Sequence, residues 1–306
     1  MKGNILVAGG SGFIGSHIVD ALSEMPESTV LVYDIQARNN RVGNVVRVRG
    51  DVFDLDRLVK VMKEQNVVNV IHLVGLASIP ECRKSPDVSF RLNVSSVQKM
   101  LEAMRICDAE HLVFSSTAAV YGITNGPKVS ERVKPKPTSI YGSHKRAAEL
   151  LIRGHAENYG LNTTILRIFN VYGDLKMEQG VVSLFVRRAL KQKPIILKGG
   201  EQLRDFVYLD DVVASFIRSL ENVAAYQKVI NVGSGVGVSV KEVAGMVKES
   251  FPEVEVMVEP PSGREYSIYA DVSRMKTVLN SDVVNPRLGI PIFVEKCKQK
   301  NENTGE

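Results

Sequence analysis

The sequence predicts an α/β fold, a doubly wound and mostly parallel sheet followed by a smaller C-terminal α/β unit. Three observations carry this. Short apolar runs alternate with helical periodicities through the first half of the chain. The first apolar run closes in a cluster of glycines that opens a helix. After about Tyr172 the alternation becomes shorter and less regular.

The elements follow in order. NILVAGG is a buried strand, too short and too apolar to be anything else before its glycines. From Gly15 to Met25, Ile18, Leu22 and Met25 fall on one helical face, and Pro26 ends the helix. TVLVYD and VVRVRGD (Val45–Asp51) are the second and third strands. Asp54 caps a helix with Leu55, Leu58, Val59 and Met62 at helical spacing. VVNVIHLVG is the fourth strand, one long helix is expected from Ser85 to Asp108, and HLVFSST is the fifth strand. A helix from Ile140 stops at Gly160, and LNTTILRIFNVYG supplies the sixth strand. Beyond it come helices over GVVSLFVRRALKQKP, DDVVASFIRSLENV and SVKEVAGMVKESF, with strands in IILKGGEQLRDFVYLDD, KVINVGSG and VEVMVEPP, the last an edge strand ended by prolines. The division expected is 1–172 and 173–294, with the polar residues 295–306 frayed.

Composition narrows the function. Of 306 residues, 44% are apolar and 24% charged, the balance of a globular protein. No apolar run reaches the ~18 residues of a membrane span, and MKGNILVAGG lacks the pattern of a signal peptide. Cys82, Cys107 and Cys297 have no pairing or ligand spacing, so they read as reduced thiols in a cytoplasmic protein, without disulfide or metal site. The net charge of +5 is spread without a basic stripe, which argues against nucleic acid and for a few arginines aimed at a small anion.

Gly9, Gly12 and Gly15 stand at G-x-x-G-x-x-G spacing between a strand and a helix. Gly9 makes the tight turn, Gly12 lets a pyrophosphate reach the backbone, and Gly15 lets helix and sheet pack closely. The helix start offers free N–H groups to the phosphates. Asp34 ends the second strand about twenty residues on, where a carboxylate accepts both ribose hydroxyls and repels a 2′-phosphate. A Rossmann-type dinucleotide site follows, with NAD favoured and NADP left open by the nearby Arg38.

Tyr141 and Lys145 lie four apart on one helical face. A phenol is a poor base at neutral pH, and a neighbouring ammonium favours its ionised form. Such a pair exchanges a proton with a substrate hydroxyl while a hydride moves to the cofactor. His17 and His72 read as structural groups, His144 as exposed, and Asp210–Asp211 as a helix N-cap.

With GGSGFIG, SSTAAVYG, YGSHK and RIFNVYG in that order, the chain resembles the extended short-chain dehydrogenase/reductase family, in particular its NAD-dependent nucleotide-sugar epimerases and dehydratases. The resemblance runs from about Lys2 to Asp271. It implies Tyr141 as general acid/base, Lys145 on the nicotinamide ribose and lowering the tyrosine pKa, and Thr117 bonding the substrate oxygen. It places Phe13, Ile14, Asp34, Ile35, Asp51, Val52, Leu73, Val74, Gly75, Ala77, Asn93, Ser115 and Phe169 on the cofactor, with Asn93 holding a loop. Val74 and Gly75 depart from the family's usual alanines. Ser78, Asn170, Val182, Arg204 and Arg264 fall on the substrate side, the two arginines on a diphosphate.

In the family's dehydratases an Asp–Glu pair follows the threonine, whereas this chain has Ala118 and Ala119. Neither alanine can move a proton, so dehydration lacks its reagents. The resemblance then implies a UDP-sugar 4-epimerase that keeps NAD bound and acts on UDP-glucose and UDP-galactose or their N-acetyl forms. A keto-sugar-nucleotide reductase or dehydrogenase with exchangeable cofactor is the alternative, and a non-catalytic NAD-binding regulator a further one. The family's dimers imply a homodimer through the segments 87–106 and 141–159.

Overall fold

The structure is a computed structural model that describes residues 3–176, 180–261 and 266–304. The first winding comprises β1 (Asn4–Ala8), α1 (Phe13–Ser23), β2 (Val30–Asp34), β3 (Asn40–Val42), β4 (Val45–Arg49), α2 (Leu55–Glu64) and β5 (Val67–His72). β3 was not expected. Its three residues are all exposed, so they carry no apolar alternation to read.

Next come α3 (Ile79–Lys84), α4 (Pro86–Phe90), a wide π turn at Arg91–Ser95 and α5 (Ser96–Ile106). The long helix expected here is present from Pro86 to Ile106, with the π turn as a bulge inside it. Asn93 sits in the wide turn, fully buried, with its side chain bonded to the backbone of Leu76. π turns of this kind gather at functional sites. The chain continues through β6 (His111–Thr117), a 3-10 turn at Ala118–Val120, β7 (Lys128–Val129), α6 (Ile140–Tyr159), β8 (Asn162–Ile168) and β9 (Asn170–Tyr172). Gly160 ends α6 with φ 69°, a left-handed stop that favours glycine.

The remaining elements are α7 (Val181–Leu190), β10 (Ile195–Lys198), β11 (Leu203–Tyr208), α8 (Leu209–Glu221), β12 (Lys228–Val232), β13 (Gly237–Ser239), α9 (Val240–Ser250), β14 (Val256–Glu259), β15 (Tyr269–Ala270), α10 (Ser273–Leu279) and α11 (Pro286–Thr304).

Eight strands form the main sheet in the order β12-β8-β6-β5-β1-β2-β4-β3, parallel except for β3. Alternation along β1 shows why both faces are covered. Ile5 and Val7 join a core with Ile18 and Leu22 of α1 and Phe216 of α8. Leu6 and Ala8 join the opposite core with Leu58 and Met62 of α2 and Met100 and Met104 of α5. Strand order reverses at β1, with β2 on one side and β5 on the other, so a crevice opens at the carboxyl ends of these strands.

Two expectations about domain limits are corrected. A clean division at 172 does not hold, because β12 pairs in parallel with β8 and completes the main sheet. Ile230 and Val232 bury into the same core as α1 and α8. A separate core lies beyond 172, in which Val182 and Phe185 of α7, Val243 and Val247 of α9 and Phe293 of α11 meet, while α8 and α10 pack on the main sheet. Residues 295–304 are also not a frayed tail, since α11 runs to Thr304. Cys297 is buried, and the Lys298 ammonium lies over the Phe251 ring and donates to the Ser250 carbonyl. A polar sequence hid a helix held by one apolar residue and one lysine stem.

Candidate active site

The glycine turn is built as expected. Gly9 has φ 80°, and a Cβ at Gly15 would stand 2.3 Å from the Gly9 carbonyl oxygen. Gly12 caps α1 without a side-chain bond, so the first N–H groups of the helix are left to the crevice. Asp34 is tied to this turn: its Oδ2 accepts from Ser11 N at 3.1 Å and its Oδ1 from Gln36 N at 2.8 Å. A carboxylate set against open helix N–H groups fits the ribose and pyrophosphate of NAD. Ile35 beside it is 61% exposed, an apolar surface with no protein partner above it. Asp51 is exposed and Val52 buried, and the Tyr33 hydroxyl donates to the Asp51 carbonyl.

The second wall of the crevice follows β5. Leu73 and Val74 are half-buried and Gly75 and Ala77 exposed. Gly75 has a packing reason. A Cβ there would lie 2.6 Å from Asn93 Oδ1 and 3.3 Å from Lys145 Nζ. The departure from the family's alanine thus makes room for the asparagine and the lysine. Ser78 is buried and caps α3, accepting from Glu81 N at 3.3 Å.

The hydroxyl-tipped strand and the tyrosine helix meet. Thr117 ends β6, with Oγ1 accepting from Ala119 N at 3.2 Å. The turn of Ala118–Val120 packs on the start of α6 so closely that a Cβ on Gly142 would stand 2.4 Å from the Ala119 carbonyl oxygen. Tyr141 is 9% exposed. Burial pushes its phenol up to about 12, and a hydrogen bond with Thr117 pulls the other way. The Lys145 ammonium is occupied elsewhere, donating to the Ser115 carbonyl at 2.9 Å and lying 4.8 Å over the Phe114 ring. Burial lowers it to about 8, with Cys82 and Glu149 opposing.

The histidines near the crevice are engaged by neighbouring side chains. Burial holds His72 down to about 3, and its Nε2 pairs with Ser96 Oγ at 3.2 Å. His17 pairs with Asp174 at 3.1 Å. His144 is half-buried, not exposed as expected, because its Nδ1 bonds Ser89 Oγ and its ring abuts Phe90. Asp210 and Asp211 stand in the first turn of α8 behind Tyr208 at the cap, and Asp211 accepts from Val284 N.

On the substrate side the calls separate. Phe169 is buried and hands its N–H to the Val232 carbonyl. Asn170 is exposed on β9, and its Nδ2 donates to the Asp205 carbonyl at 2.8 Å. The Arg204 guanidinium lies 4.8 Å over the Tyr266 ring and donates to the Leu203 and Tyr266 carbonyls. Val182 is 2% exposed, so its side chain is core and only its backbone can face a ligand. Arg264 lies outside the described residues. The residue that sequence reasoning missed is Glu149, one turn beyond Lys145 on the same face of α6, and that spacing was its only signal.

The fold and the glycine turn are those of a dinucleotide-binding enzyme, and Tyr141, Lys145 and Thr117 come together at the carboxyl end of β6. The chain matches the NAD dependent epimerase/dehydratase family over residues 5–233, and it belongs to that family. A Methanocaldococcus jannaschii protein named provisionally as a UDP-glucose 4-epimerase is 34% identical over 97% of this chain and 99% of its own. The Thermotoga maritima UDP-glucose 4-epimerase with UDP-glucose superposes with a TM-score of 0.88 at 31% identity, covering 97% of this chain and 99% of that one. The Thermus thermophilus UDP-glucose 4-epimerase in complex with NAD gives 0.85 at 32%, covering 96% and 99%. The protein is thus an NAD-dependent enzyme of the epimerase kind. Among the described residues no helix is long and apolar enough to cross a membrane, and no cluster of metal-ligating side chains occurs.

Proposed function

We propose that the chain is a UDP-sugar 4-epimerase acting on UDP-glucose and UDP-galactose or their N-acetyl forms. The observation that carries this is the pairing of Tyr141 with Thr117 beside Ala118 and Ala119. Tyr141 can hold and return one proton, and Ala118 and Ala119 offer no second acid or base with which to expel water.

NAD would lie between the Gly9–Gly15 turn, Asp34 and Lys145, and when bound it supplies the acceptor and donor of a hydride. Tyr141 Oη takes the proton of the sugar 4-hydroxyl and later returns it. Thr117 orients that hydroxyl, and its bond to the phenol offsets part of the burial that disfavours the ionised form. Lys145, anchored on the Ser115 carbonyl, brings a cation beside the ribose. Asn170, Arg204 and Arg264 would hold the diphosphate, and forked guanidinium bonds suit that charge. Ser78 and the backbone at Val182 would complete the substrate wall.

The protein works in the cytoplasm on this reading, where its free cysteines stay reduced. It pairs with a second copy through α4–α5 and α6, whose Val88, Phe90 and Leu150 are 51%, 49% and 51% exposed. Incubation with UDP-galactose and with UDP-N-acetylgalactosamine, without added reductant, tests the activity. Conversion of either supports the reading, and NAD-loaded protein that converts neither refutes it. Size-exclusion chromatography tests the dimer.

A further inference from the structure

We propose that Glu149 is the positioning residue of this site: its buried carboxylate fastens α6 to β6 and β8 and so sets Tyr141 and Lys145 over Thr117 and Ser115. This rests on the epimerase reading for its effect on rate, though not for its geometry.

Glu149 follows Tyr141 by two helical turns and Lys145 by one, so the three share a face. Its side chain is 1% exposed. Arg167 of β8 reaches it with a fork, Nε to Oε1 at 2.9 Å and Nη2 to Oε2 at 2.7 Å. Ser116 of β6 donates to Oε1 at 2.6 Å, and Arg146 donates to Oε2 at 2.9 Å. Ser116 lies between Ser115, which holds the lysine, and Thr117, which holds the phenol. One carboxylate thus sets the register between the helix that carries the acid/base and the strand that carries its partners.

The anchor is itself braced. The Arg167 guanidinium lies 4.8 Å over the Tyr121 ring, and the Tyr121 hydroxyl donates to Asn231 Oδ1 at 2.6 Å. Asn231 of β12 in turn donates through Nδ2 to the Val129 carbonyl at 3.0 Å. A chain of buried polar groups therefore runs from the catalytic helix to β7, and its members polarise one another. Glu149 also faces Lys145 electrostatically, together with Cys82 from α3, and it supports the lysine's charge against burial. His72 faces the same ammonium from β5.

Two measurements on Glu149→Gln test this. In steady state with a UDP-sugar, kcat falls between about ten- and a hundredfold while KM stays within about twofold. In 13C-lysine-labelled protein the Lys145 Cε resonance, assigned by its loss in Lys145→Arg, titrates roughly one pH unit lower than in wild type. Glu149→Asp, which keeps the charge but shortens the reach, restores the lysine midpoint and only part of kcat. A folded Glu149→Gln with wild-type kcat and an unmoved Lys145 midpoint overturns the proposal. If Glu149→Gln does not fold, Arg167→Lys keeps the cation but loses the fork, and an unchanged kcat there overturns it equally. The lysine titration needs no substrate, so wild-type protein that converts no UDP-sugar would sink the epimerase reading and leave the Glu149 result standing on its own.

Discussion

Glu149 in the first half of the chain and Asp205 in the second are both buried carboxylates, satisfied by different means. Glu149 is held by two guanidiniums and a hydroxyl, all from regular elements. Burial pushes its carboxyl up, but Arg167, Ser116 and Arg146 leave it below the ordinary range. Asp205 of β11 is held by neutral donors. It accepts from Ser234 N, Ser234 Oγ, Gly235 N and Ala270 N, which gathers the loop after β12 and the start of the last sheet pair around Arg204. There burial prevails, and the carboxyl is raised. Opposite charge locks rigid elements whose register decides chemistry. Neutral dipoles suffice to collect loops that shape a binding wall.

The largest effect separates the chemistry of the first half from the binding of the second. Tyr141→Phe should lower kcat between about 10² and 10⁴-fold with little change in KM, read in the UDP-galactose assay. Next, the two carboxylates should differ in stability. Glu149→Gln strands the buried Arg167 cation and should cost about 3–5 kcal/mol, whereas Asp205→Asn loses only hydrogen bonds and should cost about 1–3 kcal/mol. Urea denaturation of both variants checks this, and equal losses would erase the distinction between them.

Arg204→Lys comes third. It keeps the charge but not the fork, so KM for a UDP-sugar should rise about tenfold at nearly constant kcat.

The smallest effect is the sign of the pH dependence. Glu149 has a folded pKa below its unfolded 4.5, so its contribution is full above that value and is lost as pH falls through the folded pKa. Asp205 has a folded pKa above its unfolded 3.8, so its contribution is full below that value and is lost as pH rises through the folded pKa. On acidification from about pH 6 to about 3.5, Asp205→Asn should lose more stability than wild type and Glu149→Gln less. Denaturation midpoints at the two pH values read this directly, and the acid response of the histidines cancels in the comparison with wild type.

The sequence by itself determined the alternation that builds the sheet, the glycine turn with Asp34, and the spacing of Tyr141 and Lys145. These are local properties: side-chain period, backbone freedom and helical register act within about twenty residues. The alanines after Thr117 were equally legible, since the absence of an acid needs no geometry to interpret. Tertiary structure decided the rest. It widened the expected helix by a π turn at Asn93, returned β12 to the main sheet and ordered the polar segment to Thr304. It set Thr117 against the Tyr141 phenol, and it turned Glu149 from one more charged helix residue into an anchor. Each of these depends on which distant groups enclose a side chain. Burial and partnership are set by packing between elements, and the order of residues along one element does not encode them.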